Sequence, residues 1–233
     1  LGLKGKFFDG RVIAQAAAYW GTWSDQLNNR QRIFADLPVS QGGSGATAQV
    51  SGFANTGETK LKGLEIDLTG RATEHIDLSF AAALNDSKIQ TYSNPSISQL
   101  TGVIDAGFKG KQLPQTAKLS WNAGAQYSAP LSMMEGTDWF ARADVSWKDK
   151  QFVDAANLTW IKARTVVNLR TGIHRGPLAV DLFVNNAFND KNYTSIAQNS
   201  LLTPTFNLST FNGYLNLGLP ELRTFGAKVA YKF

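Results

Sequence analysis

The chain has 233 residues, no cysteine, a formal net charge of +5, a pI of about 9.4 and a mean hydropathy of −0.20. The lack of cysteine excludes thiolate metal centres, disulfides and cysteine nucleophiles, and no run of about 18 apolar residues exists to form a transmembrane helix. Basic residues are scattered, with no Lys/Arg run reaching three, which argues against nucleic acid as a partner; no signal peptide is visible at the start.

The elements that follow are expected strands. The first lies near 1–7 and the second near 11–24, joined by a short link at 8–10. A long connection, 25–51, carries Gln41-Gly42-Gly43-Ser44-Gly45. In the third strand, near 52–71, Leu64, Ile66 and Leu68 oppose Glu65, Asp67 and Thr69. The link 72–74 is short. In the fourth, near 75–88, Ile76, Leu78, Phe80, Ala82 and Leu84 oppose Asp77, Ser79 and Asn85. After a long connection, 89–112, the fifth (113–128) sets Ala117, Leu119, Trp121, Ala123, Ala125 and Tyr127 against Lys118, Ser120, Asn122, Gly124 and Gln126. The sixth (138–151) sets Trp139, Ala141, Ala143, Val145 and Trp147 against Arg142, Asp144 and Ser146. The seventh (160–173) and eighth (177–190) alternate likewise, and 191–220 leads to a last strand, 221–233.

Side chains repeating every two residues mean strands. Segments of about 10–16 residues exceed the usual soluble strand and suit the 9–11 tilted residues that cross a bilayer. Trp139 and Trp147 share the apolar face eight positions apart, about 26 Å along the strand, close to the spacing of two aromatic girdles once tilt is allowed for. Links at 8–10, 72–74, 129–137 and 174–176 are short, whereas 25–51, 89–112, 152–159 and 191–220 are mostly long. That alternation is expected of an outer-membrane barrel with tight periplasmic turns and long external loops. It starts residue 1 outside and ends Phe233 in the periplasm. An odd strand number with open edges in lipid is incomplete, so further strands are expected from elsewhere. Trp121, Trp139, Val145, Leu169, Leu182, Val229 and Tyr231 are expected on the exposed outer face; Arg142, Asp144, Asn168, Arg170 and Asp181 on the lumenal one. The rivals are a passive porin-like channel and a soluble β-sandwich binding module.

Four stretches resemble the C-terminal barrel portion of TonB-dependent outer-membrane receptors. They are Asn55-Thr56-Gly57 through Gly63-Leu64-Glu65; Leu113-Pro114-Gln115-Thr116 with Asn122-Ala123-Gly124; Val184-Asn185-Asn186-Ala187-Phe188-Asn189-Asp190-Lys191-Asn192-Tyr193; and Leu222-Arg223-Thr224-Phe225-Gly226 through Tyr231-Lys232-Phe233. Thr116-Ala117 stands where the family commonly has a second proline. The resemblance covers essentially the whole chain. It implies an all-β antiparallel transmembrane meander over 1–233, about nine strands of a barrel of about twenty-two, without the plug domain and roughly the first thirteen strands. It also implies active import of a scarce nutrient, such as a ferric siderophore, cobalamin or oligosaccharide, driven by the TonB complex through the plug. Outer-membrane lipid and the barrel-assembly machinery are the other partners implied. The terminal Phe225, Val229, Tyr231 and Phe233 would be the assembly signal.

No catalytic, cofactor or metal constellation is present in the sequence. His75 and His174 fall at expected turns without a nucleophile beside them. The glycine run at 41–45 lacks the strand-and-helix setting of a phosphate loop. The lumenal charges Glu65, Asp67, Arg142, Asp144, Arg164, Arg170 and Asp181 are expected to pair across strands, with contact to a plug or the lining of a substrate path as the alternatives. The external ends are aromatic, including Phe34, Phe53, Phe206 and Phe211. Trp20, Trp23, Tyr92, Phe152, Trp160, Tyr193 and Tyr214 are the candidate ligand contacts, since rings offer stacking and apolar surface to cofactor-sized molecules; some of these rings would serve the lipid girdle instead.

Overall fold

The computed structural model describes residues 1–35, 37–45, 47–93, 103, 105–200 and 213–233. Its strands are β1 (Gly2–Phe7), β2 (Val12–Ala35), β3 (Thr47–Arg71), β4 (Ile76–Tyr92), β5 (Leu119–Pro130), β6 (Thr137–Lys148), β7 (Gln151–Phe152), β8 (Trp160–Ile161), β9 (Arg164–Arg175), β10 (Leu178–Asn185), β11 (Ser195–Ser200), β12 (Gly213–Gly218) and β13 (Thr224–Tyr231). Nine of them form one sheet in the order β1-β2-β3-β4-β5-β6-β9-β10-β13, every pairing antiparallel. β7 with β8 and β11 with β12 make separate two-stranded ribbons. This is a meander rather than two stacked sheets, and the only helical turns among the described residues are short 3-10 segments at Val39–Gln41 and Asp105–Phe108. All nine expected wall strands are present. Among the described residues β1 and β13 do not pair with each other, so the sheet is open.

Several boundaries differ from the sequence expectation. The connection expected over 25–51 is largely strand: β2 and β3 stay paired from Val12↔Gly70 to Ala35↔Thr47, with an irregularity around Asp25, whose φ is +54°. Polar residues on both sides of this extension remove the alternation by which a half-buried strand is recognised. The expected strand 160–173 is split, since Trp160–Ile161 belongs to the β7–β8 ribbon and the wall strand starts at Arg164. Residues 113–118 precede β5 instead of opening it, and the expected loop 191–220 contains β11 and β12.

Register assigns each face. One face carries rows such as Leu64–Leu84–Leu119, Ile66–Ala82–Trp121–Trp147 and Val145–Val167. It continues through Leu169–Val184–Phe225 and Ile173–Val180–Val229. Leu182 is 54% and Val229 67% exposed. Leu169 and Tyr231 are exposed as well, whereas Trp121, Trp139 and Val145 on the same face are half-buried by their neighbours. Trp121 stacks on Trp147 at 6.4 Å towards one end of the wall, and Tyr127 lies 5.7 Å from Trp139 towards the other. An apolar face this extensive, uncovered by protein and bounded by aromatic rings at two levels, suits hydrocarbon.

The other face is polar. Arg142 holds Asp144 through two hydrogen bonds of 2.7 and 2.6 Å, and His174 lies 3.4 Å from Asp181. Arg164 approaches Asp190 at 3.7 Å. Lumenal pairing is thus partial: Glu65, Asp67 and Arg170 have no ion-pair partner among the described residues, and Arg170 stands directly opposite Arg142. Gly63 is fixed by close approach. A β-carbon there would lie 2.3 Å from the Tyr19 ring, whose hydroxyl donates to Asn85 Oδ1 at 2.9 Å.

The wall has no interior of its own. The fully or nearly buried apolar residues among those described, Ile89, Phe108, Val153, Ala155, Ala156, Ile161 and Ile196, all lie at the end where the long connections gather.

Candidate functional site: the loop-covered vestibule

That end is organised by two small clusters. In the first, Phe108 packs with Ile89, Ala155 and Ala156, with Tyr92, Val103 and Leu113 around it. Tyr92 meets the Phe108 ring edge-on at 5.1 Å. The connection between β4 and β5 is thereby fastened both to β4 and to the segment between β7 and β8. Asn157 reinforces this: its side chain accepts from the Gln112 amide at 2.8 Å and donates to the Gln112 carbonyl at 2.9 Å. The Gln112 side chain also donates to the Thr116 carbonyl. The second cluster joins Val153 and Ile161 of the β7–β8 region to Ile196 of β11.

Asn186 ties the end of β10 to the connection that precedes β13. It is 4% exposed. Its side chain donates to the Asp190 and Glu221 carbonyls, each at 2.9 Å, and accepts from the Asp190 amide at 2.8 Å. Its own amide donates to Asn168 Oδ1 at 2.9 Å. The left-handed backbone, with φ of +48°, suits asparagine better than most residues. Asn186→Ala should cost about 2–4 kcal/mol by stranding several backbone groups, read as faster amide exchange at Asp190 with the wall unaffected. Unchanged exchange there would remove this role.

Below these clusters, on the polar face, lies a cavity of about 440 Å³. Its wall includes Lys148, Lys162, Arg164, Tyr193, Asn122 and Asp149. Lys148 and Arg164 are directly opposed across β6 and β9. Arg164 Nε is buried without a hydrogen-bond partner, and Lys148 and Lys162 are exposed without an ion pair among the described residues. Like charges facing each other in a sheet are unfavourable unless an anion lies between them. Arg164 is itself met by Asp190 at 3.7 Å and Asp149 lines the same cavity, so the recess gathers three cations with two carboxylates beside them.

The aromatic candidates scatter around this point. Tyr193 lines the cavity. Phe152 and Trp160 pair across the β7–β8 ribbon, with Lys150 5.2 Å from the Phe152 ring. Tyr92 is engaged in the Phe108 cluster. Trp23 is 53% exposed and shares the polar-face register with Thr59, whereas Trp20 is 76% exposed on the apolar face. Tyr214 pairs with Asn199 in β12, but its side chain, like that of Phe34, lies outside the described ones. Phe206 and Phe211 lie outside the described residues. Sequence reasoning flagged Arg164 as lumenal but missed Lys148 and Lys162; the cross-strand opposition that gathers them appears only with the register.

The sequence profile described as "TonB dependent receptor-like, beta-barrel" matches residues 1–189. The chain belongs to that family. Three solved receptors are matched over 100% of this chain. They are the siderophore receptor PiuA from Acinetobacter baumannii (19% identity, TM-score 0.66, 28% of that chain) and BauA, the ferric preacinetobactin receptor of the same organism (17%, 0.65, 28%). The third is FyuA, the ferric yersiniabactin uptake receptor of Yersinia pestis (11%, 0.60, 36%). At these identities the likeness is one of fold, and the chain spans 28–36% of those receptors. Membership of the TonB-dependent receptor family makes the sheet part of an outer-membrane barrel wall. The apolar face has the character that the lipid side of such a wall needs. On β13 Phe225, Val229 and Tyr231 lie exposed on that side, and Phe233, just past the strand, is exposed and in edge contact with Tyr231 at 5.2 Å.

Proposed function

We propose that this chain is the C-terminal wall and part of the external vestibule of a TonB-dependent importer, with a plug and further strands supplied by the rest of the receptor. The cargo class that fits best is an anionic chelate of a scarce metal, a ferric siderophore rather than a neutral oligosaccharide or cobalamin. The observation that carries this is the opposed Lys148–Arg164 pair, joined by Lys162 and Tyr193 around one cavity on the polar face. Three cations against the carboxylates of Asp149 and Asp190 leave the recess net positive, which draws negative charge, and a phenol adds a stacking surface. In this reading the TonB complex pulls on the plug, while the loops described here hold the cargo at the mouth. Phe225, Val229, Tyr231 and Phe233 present the ring-and-branched pattern offered to the barrel-assembly machinery.

Binding of a ferric siderophore, cobalamin and a neutral oligosaccharide to the intact receptor tests this, followed by tyrosine and tryptophan fluorescence. The ferric chelate should bind, and Lys148→Gln with Lys162→Gln should weaken it at least tenfold. Binding of cobalamin or the oligosaccharide alone would replace the proposed cargo.

A further inference from the structure

On the lipid-facing side, rows across β2, β3 and β4 follow from the register. Ala18–Leu64–Leu84 is the last wholly apolar row; beyond it come Trp20–Lys62–Asp86 and then Thr22–Lys60–Lys88. The orientation is fixed from the opposite side. Thr59, Ser87 and Ile89 are buried beneath the loop clusters, and Tyr19 bonds Asn85 on that same face. Lys60, Lys62 and Lys88, all exposed, therefore project outward with Trp20. Successive rows are about 6.6 Å apart along the strand, so the three ammonium groups stand at or just beyond the aromatic girdle, where lipid headgroups begin.

Among the described residues one of the three lysines has a carboxylate within reach: Lys62 lies 3.4 Å from Asp86. Lys60 and Lys88 oppose each other directly, and neither has an ion-pair partner among the described residues. Two like charges so placed repel, and a neighbouring hydrocarbon layer screens them less than bulk water does. A bridging anion removes the repulsion. At this depth and on this face the anion at hand is the phosphate of a lipid, and lysine meets phosphate as a compact point charge.

We propose that Lys60, Lys62 and Lys88 form a binding site for the phosphorylated headgroup of an outer-leaflet lipid, whose acyl chains lie along Leu64, Ile66, Leu68 and Leu84. The site is on the opposite face from the cargo cavity and does not depend on which nutrient is carried. Lipid bound here would act as a fixed neighbour of the wall, holding the base of the β2–β3 hairpin at the membrane surface.

The test uses the intact receptor in neutral detergent, with thermal unfolding and native mass spectrometry as readouts. The probes are bisphosphorylated lipid A, the same lipid dephosphorylated, and inorganic phosphate at matched phosphate concentration. The phosphorylated lipid should stay bound and raise the Tm. Lys60→Gln with Lys88→Gln should weaken that binding at least tenfold while leaving the lipid-free Tm and cargo affinity unchanged. Lys60→Arg with Lys88→Arg should retain most of the binding, and Lys232→Gln, at the far end of the wall, should change nothing. Equal binding by the wild type and the double glutamine variant overturns the proposal. So does equal stabilisation by dephosphorylated lipid, which would make the contact purely apolar, or by inorganic phosphate, which would make it a free-anion site. A lowered lipid-free Tm in the glutamine variant accompanied by undiminished lipid retention also overturns it.

Discussion

Phe108→Ala is expected to open the loop cluster while leaving the wall standing. Phe108 is fully buried and touches three chain segments, among them β4 through Ile89 and the β7–β8 connection through Ala155 and Ala156. Removing a buried phenylalanine costs about 3–5 kcal/mol, which corresponds to roughly two to nearly four orders of magnitude in a local opening equilibrium. The backbone bonds that report it are named by the structure: Ile89 N–H to the Lys111 carbonyl at 2.9 Å and Gly110 N–H to the Ile89 carbonyl at 2.8 Å. Their amide exchange should accelerate by that factor, with exchange of the β5–β6 ladder unchanged. If exchange at both stays at the wild-type rate, the cluster does not hold the connection down.

Val145→Arg should act on the other half of the molecule. Val145 lies on the apolar face between Ala123 and Val167, between the levels of Trp147 and Trp139. An arginine near the membrane midplane of a barrel costs about 2–4 kcal/mol. Ser146→Arg, one residue along and on the polar face, should stay within about 0.5 kcal/mol, the range of ordinary surface changes. Reversible refolding of the intact barrel into lipid vesicles measures both. A larger loss for Ser146→Arg than for Val145→Arg would mean that the faces are assigned the wrong way round.

These two experiments probe regions that differed in how far the sequence revealed them. The wall was legible because a one-sided apolar sheet writes its exposure into alternate residues. Trp139, Ala141, Ala143, Val145 and Trp147 read as one face from their spacing alone, and their partners across β5 and β9 fall on it as well. The β2–β3 extension was not legible. Asn28, Asn29, Arg30, Gln31 and Arg32 face their partners with no apolar row to betray a strand. The ribbons were invisible for another reason: β7 and β8 are two residues each, too short for any period to register. The vestibule was half legible. Tyr193 and Arg164 could be picked out as types, whereas the opposition of Lys148 to Arg164 is a product of strand register. Asn186 lay inside a recognised stretch, yet its bonds to Asp190 and Glu221 join residues up to 35 positions apart.

The β2–β3 hairpin is much taller than the wall it springs from. Its strands have 24 and 25 residues, and about 9–11 suffice to cross the hydrocarbon. Some thirteen residues per strand remain, roughly 40 Å of ribbon at about 3.3 Å each. The segment 37–45 at its tip stands well clear of both the apolar face and the basic recess. Changes at that tip touch neither, so this ribbon can vary in sequence without disturbing the apolar wall or the basic recess.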